Sequence, residues 1–189
     1  MNDIVALETE FKDIVANTIH RDGIDKLMYW ISTTDFFVAP SSTRYHGAEP
    51  GGLAAHSIAV YKRLKAMQED EDDESIAIAA LFHDICKADM YKQSFRNVKN
   101  DVTGKWEKVP CYEIEEKGIP LGHGEKSMFI LMNFIKLTDD EATAVRWHMG
   151  FSVAENQFER PSLTRAMQTY KLVLKLQTAD SQSAFWDCK

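Results

Sequence analysis

No stretch of this 189-residue chain approaches the roughly 20 consecutive apolar residues that a membrane-spanning helix needs. The opening residues, Met1-Asn2-Asp3-Ile4, lack a basic stretch followed by an apolar one, so no secretory signal is expected. Cysteine is scarce. Cys86, Cys111 and Cys188 form an odd, widely spaced set with no Cys-x-x-Cys pair. That pattern argues against a disulfide scaffold and for reduced thiols in a cytoplasm. Basic charge is short as well: 22 Lys and Arg against 29 Asp and Glu give a net charge of −7. Such a balance is a poor basis for binding duplex DNA, whose affinity rests on clustered positive charge. Small anionic substrates stay compatible with it, because a bound metal ion can outweigh a distant acidic surface. Repeats, linkers and low-complexity segments are also missing. With 44% hydrophobic and 27% charged residues, the composition is that of an ordinary globular protein, and the length suits one domain.

What is present reads mostly as helix. Apolar residues recur at close to the 3.6-residue period over 4–19 and again over 24–31, with Asp22-Gly23 breaking the two apart. Residues 37–52 hold Pro40, Gly47, Pro50, Gly51 and Gly52 and read as a loop, with Arg44, Tyr45 and His46 in its middle. A helix follows over 53–67. The acidic run 69–74 reads as a solvated turn that also favours the positive N-terminus of the next helix. That next helix, 75–88, is apolar almost all round, which places it at the centre of a bundle. Between residues 93 and 116, strand-favouring residues flank an Asn100-Asp101…Gly104 turn signal, so a β-hairpin insertion is expected there. Helices then resume over 125–135 and 139–149, the latter with Thr138 and Glu141 as a capping box and Gly150 as its stop. A final helix runs over about 161–184. The expected fold is an all-α, single-domain helical bundle carrying one small hairpin.

Six histidines are scattered along the chain, and four of them sit beside sharp local signals. His83-Asp84 lies inside the apolar stretch Leu81-Phe82-His83-Asp84-Ile85-Cys86-Lys87. Burying an imidazole beside a carboxylate is costly unless both find partners. A divalent metal ion would satisfy both at once; a plain His–Asp hydrogen bond is the competing account. His56 lies near the start of its helix after Gly51-Gly52. His123 stands between Gly122 and Gly124, where a backbone can approach closely. His148 ends the capped helix, and Asp180 lies late in an apolar helix where an unpaired carboxylate would be penalised. Each alone reads as a satisfied core residue. Together they are hard to explain separately.

The order His56 … His83-Asp84 … His123 … His148 … Asp180, with intervals of 27, 39, 25 and 32 residues, resembles the HD-domain superfamily of metal-dependent phosphohydrolases. The likeness spans most of the chain. It implies an HD-type helical fold, with a metal-binding core over about 51–184 and the N-terminal helices (3–32) packed on it. It further implies that His56, His83, Asp84 and Asp180 bind a first metal. His123, His148 and a bridging Asp84 would bind a second. Two ions per chain are expected on this basis, Fe or Mn, with Ni, Co, Mg and Zn as alternatives. His83-Asp84-Ile85-Cys86-Lys87 is similar to the HDxxK variant, in which the lysine contacts a substrate phosphate. Lys87 stands one helical turn beyond His83, on the same face, where it could neutralise developing phosphate charge; a surface charge at a helix end is the plainer account. Asp84 and Lys87 are thus the candidate catalytic residues. Arg44, His46 and Arg146 are weaker candidates for substrate contact, since a loop over the site could grip phosphate through a forked guanidinium.

The expected activity is hydrolysis of a phosphoester or phosphoanhydride bond in a small, nucleotide-type substrate, attacked by a metal-bound hydroxide. The Gly-Tyr-Pro signature of the cyclic-dinucleotide branch is missing after Gly150, which disfavours that branch. The alternatives are a 3′-5′ exoribonuclease acting on short single strands and a non-catalytic nucleotide-binding regulator. Neither duplex DNA nor a membrane is an expected partner. The hairpin reads equally as a dimer contact or a lid.

Overall fold

The structure, a computed structural model, describes residues 2–44, 47–115, 118–154 and 156–187. Of the candidate residues, only His46 lies outside them. Within the described residues there are eight α-helices and one two-stranded antiparallel sheet. The all-helical expectation with a hairpin insert therefore holds, and among the described residues no helix is long and apolar enough to cross a membrane.

Helix α1 (Ile4–Thr18) begins where the Asp3 carboxylate accepts from the Ala6 amide. Helix α2 (Ile24–Ser32) follows Gly23 in a left-handed conformation. A side chain at that glycine would overlap the Phe134 carbonyl. Helix α3 (Gly52–Ala66) leads through the acidic run to α4 (Asp73–Phe82), whose Asp72 N-cap accepts from the Ser75 amide. The acidic run does more than meet solvent. Glu71 accepts from Lys175 at 2.6 Å and Glu74 pairs with Arg21 at 2.9 Å, so it fastens neighbouring helices.

Every α4 residue from Ile76 to Phe82 is buried. Ala77, Ile78, Leu81 and Phe82 enter one apolar cluster with α1, α2 and residues Phe36 and Phe37. Ile76, Ala79 and Ala80 enter a second, built with the later helices. The expected helix over 75–88 is corrected here. It ends at Phe82, and after His83 and Asp84 the chain makes a short 3-10 turn, Ile85–Lys87. Ile85 and Cys86 stay buried, so the apolar pattern runs on although the helix does not.

Strands β1 (Tyr91–Lys99) and β2 (Trp106–Ile114) form the hairpin, with Tyr91 opposite Ile114 and Lys99 opposite Trp106. Helix α5 (His123–Met132) precedes α6 (Asp139–Trp147), whose capping box at Thr138 and Glu141 forms as expected. The single final helix is also corrected. It is broken at Tyr170, where the backbone is extended (φ −123°), into α7 (Glu159–Thr169) and α8 (Lys171–Gln182), and a π-type turn over Ser183–Asp187 follows.

Candidate metal centre

Two helix ends build the middle of the site. His83 caps α4 and His148 caps α6. Each folds its ring back on its own helix: His83 Nδ1–H donates to the Ala80 carbonyl (2.9 Å) and His148 Nδ1–H to the Val145 carbonyl (2.7 Å). A carbonyl only accepts, so each ring carries a proton on Nδ1 and turns Nε2, the nitrogen that could ligate a metal, inward. The negative ends of both helix dipoles point the same way, which favours a cation there.

The remaining donors come from three other segments. His56, one turn into α3, is hydrogen-bonded through Nδ1 to Ser183 Oγ (3.1 Å). Asp180 of α8 places Oδ1 3.1 Å from His56 Nε2. His123 opens α5 and donates Nε2–H to Asp84 Oδ1 (2.5 Å). The close approach of α5 to α6 that this requires depends on Gly124, where a Cβ would overlap the Arg146 carbonyl oxygen. That is the close backbone approach expected of the Gly-His-Gly motif.

Asp84 is the hub, and its two oxygens face different ways. Oδ2 lies 3.4 Å from His83 Nε2 and 3.8 Å from His56 Nε2, while Oδ1 faces His123 and, at 3.4 Å, His148 Nε2. Burial pushes the Asp84 carboxyl up, but Lys87, His83 and His123 together hold it well below the usual carboxylate range. Asp180 behaves alike: burial raises its carboxyl, and the His56 hydrogen bond with the neighbouring imidazoles brings it down to about 2. Both are anions at neutral pH.

The donor chemistry fits divalent cations. His56 Nε2 and His83 Nε2 approach to 3.3 Å, and the fully buried His148 Nε2 has no hydrogen-bond partner among the described residues. The Nε2 lone pairs that His83 and His148 turn toward Asp84 would repel its carboxylate oxygens unless a positive charge lies between them. Three overlapping sets, His56-His83-Asp84, His83-His148-Asp180 and Asp84-His123-His148, keep their ligand atoms within 4.8 Å of one another. That is near the span covered by two bonds of about 2.0–2.2 Å to a common ion.

Asp84, His123, His148, Asp180 and Lys87 line a common cavity of about 530 Å³. Lys87 reaches it from the 3-10 turn, not from the helical face expected. Its ammonium donates to Asp84 Oδ2 and to the Ser41 carbonyl, both at 2.7 Å. Burial works against that charge, and Asp84 more than restores it, so the Lys87 pKa is raised. Cys86 is buried, with Sγ 3.5 Å from His123 Nδ1, where it packs and orients the ring. Arg44 lines an adjoining cavity of about 550 Å³ together with Arg96, not the one at the metal centre. Arg146 points elsewhere: it pairs with Glu125 and lies over the Trp147 ring, 3.8 Å from its centroid. Sequence reasoning missed Tyr91 and Gln177, both on the cavity wall, and Ser183, which orients His56 from 127 residues away. No local pattern marks any of the three.

No curated protein and no solved structure matches the chain significantly. The HD domain family matches it over residues 53–184, which takes in all six converging side chains. That family consists in general of metal-dependent phosphohydrolases. With well over half its length matched and its His and Asp residues gathered as a metal site requires, the chain belongs to the HD domain family.

Proposed function

We propose that this protein hydrolyses a phosphoester or phosphoanhydride bond of a nucleotide-type substrate, using two divalent ions held by His56, His83, Asp84, His123, His148 and Asp180. The observation that carries the reading is the division of Asp84, one oxygen toward His56 and His83 and the other toward His123 and His148. When bound, such ions supply a water acidic enough to attack at neutral pH and a positive field for the phosphoryl oxygens. The chain's own residues do the rest. Asp84 and Asp180 stay ionised and set the charge of the cage. His83 and His148 hold fixed tautomers through Ala80 and Val145. Lys87, held at the cavity wall, is the group placed to meet a phosphate oxygen and take up its charge. Arg44, with Arg96 beside it, would bind a more distant phosphate from the adjoining cavity. Iron or manganese suits the mixed nitrogen and oxygen donors. The complete donor set favours an enzyme over a non-catalytic nucleotide-binding regulator.

The test is a phosphate-release screen across nucleotides and dinucleotides with Mn²⁺, repeated after chelation. Turnover that disappears with the metal and returns on its addition is expected. Asp84→Ala should lower turnover by at least about a thousandfold while far-UV circular dichroism holds, because residue 84 lies beyond the end of α4. Full turnover by Asp84→Ala would overturn the bridging role.

A further inference from the structure

The hairpin keeps its carboxylates to one face. In an antiparallel pair, directly opposed residues share a face, and successive residues alternate between faces. The register therefore places Tyr91, Gln93, Phe95, Asn97 and Lys99 on one side with Ile114, Tyr112, Pro110, Lys108 and Trp106. The edge-to-face contact of Tyr91 with Tyr112, centroids 6.5 Å apart, belongs to this side. Four aromatic rings and two lysines stand on it, with no carboxylate. Both acidic residues of the strands, Glu107 and Glu113, lie on the other face. Lys92 and Arg96 accompany those carboxylates, so only the first face presents cations without acidic neighbours on the strands.

The face is open at its outer end and joined to the metal centre at its inner end. Phe95 and Trp106 are 67% and 70% exposed, and Lys99 and Lys108 are exposed beside them. Tyr91 and Ile114, the innermost opposed pair, line the same cavity as Asp84, Lys87 and His148. Nine residues per strand span about 27 Å at ~3.4 Å per step, the reach of several nucleotides. A row of rings with two lysines at its outer end suits unpaired bases and their phosphates: every base has a π-face to stack, and every linkage carries a negative charge. Gln93 and Asn97 add donors and acceptors between the rings. A second copy of this face would suit it less, since a two-fold contact sets Lys99 and Lys108 against the same charges.

We propose that this hairpin face is a stacking platform for a single-stranded oligonucleotide whose end enters the metal cavity. The phosphohydrolase reading supplies only what happens at that inner end; the platform itself is tested by binding alone.

The experiment uses the full chain in EDTA with fluorescein-labelled oligo(U) and oligo(dT) 12-mers, read by fluorescence anisotropy across a salt series. Saturable, salt-sensitive binding is expected, weaker for a 12-base-pair duplex. Phe95→Ala and Trp106→Ala should each weaken it about tenfold. The double substitution Lys99→Ala/Lys108→Ala should reduce the slope of log K against log salt by about 1.4, since each phosphate neutralised on a single strand adds ~0.7. In parallel, Mn²⁺-dependent hydrolysis of bis(p-nitrophenyl) phosphate, too small to reach the outer hairpin, should be the same in wild type and in all these variants. Absence of saturable binding, or binding indifferent to all four substitutions, overturns the proposal. So does a dimer that sedimentation shows dissociating on Trp106→Ala, which assigns the face to a second copy. Failure of the small ester alone sinks the phosphohydrolase reading and leaves the binding result to decide the platform.

Discussion

His83 and His123 both turn a ring nitrogen toward Asp84, yet they belong to different kinds of surroundings. His83 is wholly buried, ends a helix whose negative pole faces the site, and has its tautomer fixed by a backbone carbonyl. His123 is 21% exposed at its side chain, stands at the positive end of α5, and is steadied by a thiol. The negative end of α4 favours a cation beside His83, whereas beside His123 the positive end of α5 opposes the negative end of α6 at His148. In the proposed two-ion cage, the buried His83 half would hold its ion more firmly and the more exposed His123 half would meet solvent and substrate.

Single replacements test that asymmetry most severely. His83→Ala should bring the metal content measured by inductively coupled plasma spectrometry close to zero and abolish turnover. It also strands the Ala80 carbonyl, at a cost of about 1–3 kcal/mol. His123→Ala should keep about one ion per chain through His56, His83 and Asp180, while turnover falls by at least about a hundredfold. Equal metal loss in the two variants would break the comparison. Lys87→Met comes next: a fall of about 10²–10³ in rate with metal content unchanged is expected, since it removes charge stabilisation and no ligand. Gly124→Ala sharpens the comparison from the packing side. Separating α5 from α6 should cost about 1–3 kcal/mol, read as a lowered Tm, and should weaken the His123 side more than the His83 side.

The smallest effect lies away from the site, at the α8 end of the core. Burial pushes the Glu71 carboxyl up, but the Lys175 hydrogen bond and backbone donors bring it from 4.5 down to about 2. Its folded-state pKa lies below the unfolded one, so its contribution is complete above about pH 4.5 and fades as pH falls toward 2. Glu71→Gln should be less stable than wild type at pH 7 by less than about 1 kcal/mol, with the two denaturation curves converging near pH 2.

The same contrast explains what could be seen in the sequence. Donors set among apolar residues were legible: His83-Asp84 is conspicuous after the apolar run 76–82, Asp180 follows the apolar stripe Leu172, Val173 and Leu176, and Gly124 beside His123 announced a close approach. The exact end of α4 was not legible, because Ile85 and Cys86 continue the buried pattern through a 3-10 turn, and burial alone does not distinguish that turn from a helix. Tyr170 breaks the last helix without a glycine or proline to signal it. Arg146 shows the limit of sequence proximity. Two positions from His148 on a helix is a different face, and there it meets Glu125 and Trp147. Ser183 lies beyond any local pattern, since only the packing of α8 against α3 brings it to His56.

Because α4 feeds both apolar clusters, it ties the two together. The amides leading into His83 should accordingly exchange with deuterium only through global unfolding, whereas those of the hairpin exchange by local fraying. His83 thus follows the most deeply packed helix, and the outer hairpin can loosen while its inner pair, Tyr91 and Ile114, stays on the cavity wall.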